Sequence, residues 1–196
     1  MALANTLHPD LILLAGDFVA GHEGRDAVVA PDLAPLRMLS ARLGSVAVLG
    51  NHDHWTDANA VRAALNAANV VVLENAAIRR GPLVIGGLGD APTNRARLGT
   101  TRAAMARAGG VPLLMAHSPD VPGGWRGLVV AGHTHCGQIV LPLLGAPIAV
   151  AAPRYRCGIV REAGRTTIVT AGTGTSVLPF RLGAPPDWWL LTVGGR

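Results

Sequence analysis

Four apolar runs in this chain each end on a short polar cluster. LILLA precedes Gly16-Asp17, VAVL precedes Gly50-Asn51-His52-Asp53, LLMA precedes His117, and LVVA precedes Gly132-His133-Thr134-His135. Short apolar runs bounded by turn residues read as buried strands. In an open α/β sheet, ligands bind in the crevice beyond the carboxyl ends of the strands. Asp17, Asn51, His117, His133 and His135 are therefore expected to meet in space, and a carboxylate, an amide oxygen and imidazoles together make a donor set for a divalent metal.

Between these runs the pattern alternates. Leu33, Leu36, Leu39 and Leu43 recur at helical spacing and predict a helix over Pro31 to Leu43. Thr56 is expected to cap a second helix from Asp57 through Ala68, with Val61 and Leu65 on its apolar face. Val70 to Leu73, Ala76 to Arg79 and Leu83 to Gly87 read as short strands of a meander, followed by a helix near Thr100 to Ala108. The tail predicts three antiparallel strands, Tyr155 to Val160, Thr166 to Thr170 and Trp188 to Val193. The absence of a repeat or a linker, with 196 residues that are 49% apolar, suits one α/β domain over 1–196.

Composition narrows the function classes. All 17 basic residues are Arg, against 12 acidic ones, for a net charge of +5. They are scattered, without a basic run or interleaved aromatics, so a dedicated nucleic-acid surface is not indicated. Cys136 and Cys157 show neither CxxC spacing nor a disulfide-dense pattern; Cys136, beside the paired histidines, reads as a small buried thiol rather than a zinc ligand. The uncharged stretch from Cys136 to Pro153 is broken by Pro142, Gly145 and Pro147, which argues for a surface loop over the site mouth and against a membrane helix. The first residues lack the charged flank and long apolar core of a signal peptide.

Two divalent ions bridged by a carboxylate suit displacement at phosphorus, and an imidazolium beside them can protonate the departing alkoxide. Asp17 is the candidate bridge and His52 the candidate acid. The motifs GD (Gly16, Asp17), GNHD (Gly50 to Asp53), AH (Ala116, His117) and GHTH (Gly132 to His135) occur in an order and spacing that resembles the calcineurin-like metallophosphoesterases. The tail GHTHCGQIVLP and GTGTSVLPFRLGAPPDWWLLTV resembles a membrane-associated bacterial phosphodiesterase branch of that family.

The resemblance implies an αββα sandwich with metals at one edge of two facing sheets. It implies Asp17 as bridging ligand, Asn51, His117 and His133 completing one metal site, His135 in the other, and His52 as proton donor. The metals it implies are Mn, Zn or Fe. It implies a small phosphodiester or a lipid-linked pyrophosphate as substrate, with a nuclease-type phosphodiester as the alternative, and it makes membrane association an expectation. The family's first motif, an Asp-x-His at the end of a strand before Asp17, does not occur here. The expectation is a sequence that starts inside the family's domain, with one metal held more tightly than the other and activity weak or dependent on the missing strand. Ala20 stands where the phosphoprotein phosphatases carry an Asp, which sets the chain apart from that branch.

The neighbours of these motifs have plainer readings. Asp53 is expected to hold its loop by local hydrogen bonds and His54 to be a solvated loop residue. His22 and Glu23 either line the substrate mouth or form an exposed turn, and Trp188 and Trp189 are expected to pack in the core or at a sheet edge.

Overall fold

The computed structural model describes residues 1–20, 32–148 and 150–194. Two sheets face each other. The smaller holds β1 (Ile12–Leu14), β2 (Ser45–Ala47) and β3 (Val70–Val72), all parallel, in the order β1-β2-β3. The larger holds β4 (Ala76–Arg80), β5 (Leu83–Gly87), β6 (Val111–Met115), β7 (Gly127–Ala131), β8 (Gly158–Glu162) and β9 (Arg165–Val169), in the order β4-β5-β6-β7-β9-β8. Its centre is parallel, and the antiparallel hairpins β4–β5 and β8–β9 form its two margins.

The period-two alternation of side chains builds the layers. On β2 and just beyond it, Val46 and Val48 point between the sheets, whereas Ala47 and Leu49 point out against helix α3 (Ala58–Ala67). On β6, Leu113 and Met115 meet Val46 and Val48 across the interface, and Leu114 turns outward to helix α4 (Leu98–Ala108) and its Met105. Strands buried on both faces need continuous apolar sequence, which is why the runs did not alternate. The result is the expected αββα order of helix, sheet, sheet, helix. α1 (Ala2–Thr6) is a short turn at the edge, and α2 (Asn51–Thr56) follows β2.

Several local expectations are corrected. Over the described part of Pro31–Leu43 the chain is helical at Asp32 and Leu33, tightens to a 3₁₀ turn over Ala34–Met38 and is extended at Leu39, so the helix ends before Leu43; Pro35 lacks the N–H that a longer α-helix would need there. The cap of α3 is Asp57, whose Oδ1 accepts the N–H groups of Asn59 and Ala60, while Thr56 closes α2. Val70 to Leu73 is no meander strand: β3 pairs parallel with β2 in the other sheet, and the chain changes sheets between Val72 and Ala76. Trp188 to Val193 forms no strand, and both tryptophans are exposed rather than packed in a core or edge. Cys136 is not a thiol. It forms a disulfide with Cys157, across a Cα separation of 4.8 Å, so the expectation of two unlinked cysteines is overturned. Spacing gave no sign of it because the fold, not local sequence, brings together residues 21 apart.

Candidate metal centre

The ends of four strands converge as expected. Gly16 and Asp17 follow β1, Gly50 opens α2 after β2, His117 follows β6, and His133 follows β7. Gly16 has φ +89°, and a Cβ there would lie 2.7 Å from the Gly50 backbone nitrogen, so only glycine lets the two loops touch. Asp17, His133 and His135 are themselves left-handed, with φ of 57°, 68° and 50°. Such conformations in residues other than glycine are uncommon and concentrate where a surrounding structure enforces them at functional sites.

At Asp17 the enforcing residue is Asp53. Its fully buried carboxylate accepts the N–H groups of Asp17 (2.9 Å), Phe18 (2.7 Å), Val19 (3.3 Å) and Gly50 (2.8 Å), so one side chain ties the GD loop to the GNHD turn. Burial, opposed by these donors and aided by the Asp17 charge, pushes its carboxyl up to about 6. The structural role expected for Asp53 is the one observed.

At the centre lies His117, 1% exposed. Its Nδ1 is 2.7 Å from the carbonyl oxygen of Ala15, which only accepts, so this nitrogen carries a hydrogen. In the neutral ring Nε2 then presents a lone pair. Around Nε2 stand Asp17 Oδ2 at 3.1 Å, Asn51 Oδ1 at 3.1 Å and His133 Nδ1 at 3.0 Å. A proton on Nε2 serves one of three neighbours at a time, whereas a divalent cation accepts all four lone pairs together. The donor set fits such an ion, and the carbonyl behind Nδ1 fixes the tautomer as it does for metal-binding imidazoles. Among the described residues Asp17, His117 and His133 form one compact candidate metal cluster.

Electrostatics without an ion reflect this crowding. Burial works to raise Asp17, but the hydrogen bond and charge of His117 outweigh it and hold the carboxyl below its ordinary value. Burial works to lower His117, but Asp17 outweighs it and the imidazole titrates above its ordinary value. His133 is pushed down to about 4 by burial and by the His117 charge.

The other expected residues lie around this cluster. The His52 backbone N–H donates to Asp17 Oδ1 at 2.9 Å, its Nε2 is 3.2 Å from Ser176 Oγ, and Trp55 packs edge-on at 5.1 Å between ring centroids. Both Asn51 and His52 thus sit in the first turn of α2. His135 stands outside the compact group, with Nδ1 3.4 Å from Arg181 Nη2; burial and that guanidinium lower its pKa. His54 lies on α2, not on a solvated loop, with both ring nitrogens shielded from water. His22 and Glu23 fall outside the described residues.

Sequence reasoning missed the clasp over the site. Gln138 Nε2 donates to the carbonyls of Ser176, Leu178 and Phe180, its Oε1 accepts from Ser176 N, and Arg181 donates to the carbonyls of His135, Ala171, Gly174 and Ala184. These bonds fix the tail segment across the GHTH loop and place Ser176 against His52. The signal in the sequence was one Gln directly after the GHTH loop and one Arg in an otherwise uncharged tail segment.

Comparison with known proteins agrees with this geometry. Residues 2–137 match the family model for calcineurin-like phosphoesterase. The chain belongs to that family. It is 32% identical to an uncharacterized metallophosphoesterase of Aquifex aeolicus (strain VF5), over 96% of this chain and 74% of that protein. It is also 32% identical to the phosphodiesterase YaeI of Escherichia coli (strain K12), over 97% of this chain and 73% of the relative. At 28% identity it matches a transmembrane protein with metallophosphoesterase domain of Bos taurus, 93% of this chain aligning with 45% of that protein. Members of this class are phosphoric ester hydrolases, and the described part of this chain contains no helix long and apolar enough to cross a membrane.

Proposed function

We propose that this chain hydrolyses phosphodiester or pyrophosphate-type esters with a divalent cation held by Asp17, Asn51, His117 and His133, and with His52 as the proton donor. The observation that carries this reading is the convergence of three ligand-type atoms on His117 Nε2, each within 3.1 Å. A bound cation supplies Lewis acidity, neutralising charge on a phosphate ester and making water nucleophilic near neutral pH. The mixed nitrogen and oxygen set suits Mn, Zn or Fe, with occupancy decided by supply as much as by affinity.

The remaining steps belong to the protein. Asp53 holds Asp17 and Gly50 in register, so the ligand loops are organised before any substrate arrives. The His52 backbone N–H fixes Asp17 Oδ1 beside the proposed cation site. Ser176 Oγ, 3.2 Å from His52 Nε2, orients the ring whose proton goes to the leaving oxygen. The substrates in view are small phosphodiesters and lipid-linked pyrophosphates.

A second reading, one tightly held cation with weak hydrolysis, is favoured by His135, which stands apart from the compact cluster and faces Arg181. Hydrolysis of bis-nitrophenyl phosphate with and without Mn, together with the metal content of the protein, tests both. Cation-dependent turnover abolished by His133→Ala supports the hydrolase. Turnover that persists in chelator removes it, and tight binding of one ion without turnover selects the second reading.

A further inference from the structure

We propose that Cys136, Cys157 and Asp187 form a second metal site, of thiolate type, that takes zinc when the disulfide between the two cysteines is reduced. Among the described residues the two Sγ atoms and a carboxylate oxygen of Asp187 lie within 4.8 Å of one another, in a group that shares no residue with the Asp17 cluster. Two sulfurs and an oxygen make a donor set that prefers zinc, with water as the fourth ligand. The hydrolase reading uses none of these three side chains.

The spacing does not depend on the sulfur–sulfur bond. Thr134 Oγ1 donates to the carbonyl of Arg156 at 2.7 Å and accepts the Cys136 N–H at 3.3 Å, so one side chain clamps the backbone beside both cysteines. Asp187 is held separately. Its Oδ1 accepts the Ala171 N–H at 2.8 Å and the Thr170 hydroxyl, its backbone N–H donates to Gly172 O at 3.1 Å, and Ala171 packs against buried Cys136. Metal ligands are typically oriented by such outer hydrogen bonds, and Oδ2 is left for an ion. Charge is balanced too. Two thiolates and a carboxylate carry three negative charges; zinc brings two positive ones, and Arg181, which donates to the carbonyls of Ala171 and Ala184 and feels the Asp187 charge, brings the third.

The exchange is chemically complete. Cys157 is exposed and Cys136 buried, so a dithiol reductant attacks the Cys157 sulfur and Cys136 leaves as a thiolate. The reductant's second thiolate then displaces Cys157, and the reductant, having given up two electrons, departs as its own disulfide. Zinc takes the place of the two thiol protons. The consequence concerns the GHTH loop, because Cys136 directly follows His135. The disulfide pins that loop under oxidising conditions, and the ion pins it under reducing ones.

The test is optical titration of the full chain with cobalt, once oxidised and once reduced by a phosphine under argon, the phosphine being removed before metal is added. Thiolate bonding gives cobalt an intense near-ultraviolet charge-transfer band that nitrogen and oxygen donors do not produce, so the Asp17 centre is silent in this readout. The band is expected in the reduced chain only, and zinc should displace it. It should persist in His133→Ala and collapse in Cys157→Ser. Asp187→Asn keeps an Oδ1 acceptor for Ala171 and Thr170 but loses the charged ligand, and should weaken cobalt binding at least about tenfold. A reduced chain that stays folded by circular dichroism and shows no band overturns the proposal. So does a reduced chain that unfolds and is not refolded by zinc, since binding at a thiolate site is folding free energy. Unchanged cobalt affinity in Asp187→Asn also overturns it, because the cysteines alone would then account for the band. A reduced chain that shows the band but never hydrolyses ester leaves this site standing and removes the proposed activity instead.

Discussion

Replacing Gly50 by alanine tests whether the site is as tightly assembled as its geometry indicates. Gly50 has an ordinary extended φ of −108°, so the substitution brings no backbone strain. Its new Cβ would lie 2.3 Å from Asp17 Oδ1 and 2.6 Å from His117 Cε1, well inside contact distance. Overpacking of this kind costs about 1–3 kcal/mol. For a chain of this size that lowers the melting temperature by roughly 2–12 °C. The larger effect should fall on the cation, because the two side chains that must move are proposed ligands, and disturbing a ligand's support weakens affinity about 10–100-fold. At a cation concentration of 100 Kd the parent chain gains about 2.7 kcal/mol; a hundredfold weaker site gains only about 0.4 kcal/mol. Thermal unfolding of both chains with and without Mn reads both quantities. Gly99→Ala is the control: nothing lies within 4 Å of its Cβ, it sits inside α4, and the change should stabilise by about 0.5–1 kcal/mol. A Gly50→Ala chain that keeps the full Mn-induced shift would refute the proposed ligand set.

Further outcomes follow from the same structure. His52→Ala should slow esters with poor leaving groups far more than nitrophenyl esters, which depart without a proton, and should leave metal content unchanged; equal losses would assign His52 a structural role. Cys157→Ala, or reduction of the disulfide, opens a loop of 21-residue separation and should cost about 3 kcal/mol, read as a melting temperature lower by roughly 6–12 °C. In the absence of metal, His133, lowered from 6.5 to about 4, contributes stability that is present above 6.5 and lost as pH falls toward 4. His117, raised above 6.5, contributes with the opposite sign: its stability is full below 6.5 and lost as pH rises through its folded value. Because His117 must lose its second proton to ligate, the Mn-induced melting shift should grow with pH above 6.5; a shift that is flat with pH would remove His117 from the ligands.

The part of this architecture legible in the sequence is the part written by burial. VAVL and LLMA are apolar throughout because each strand is covered on both faces, and the polar residue after each run marks where the strand leaves the core. That logic brought Asp17, Asn51, His117 and His133 to one place. It could not separate β3 from β4: both are short extended segments, and only pairing partners reveal that they belong to different sheets. The disulfide and the Gln138 and Arg181 clasp were hidden for a related reason. Gln138 reaches partners 38 to 42 residues away through their carbonyls, and any residue supplies a carbonyl, so beyond the lone Gln138 and Arg181 the sequence does not say which residues they hold. His135 was assigned by the resemblance to the other metal site, and it stands apart from the compact cluster, left-handed and beside Arg181.

Location of the bound ion tests the central claim most directly. Anomalous scattering from a crystal of this chain grown with Zn should show one dominant peak enclosed by Asp17, Asn51, His117 and His133, roughly 2.0–2.2 Å from each donor atom. A dominant peak outside that set, or none at saturating Zn, would contradict the assignment of these four residues as the cation's ligands.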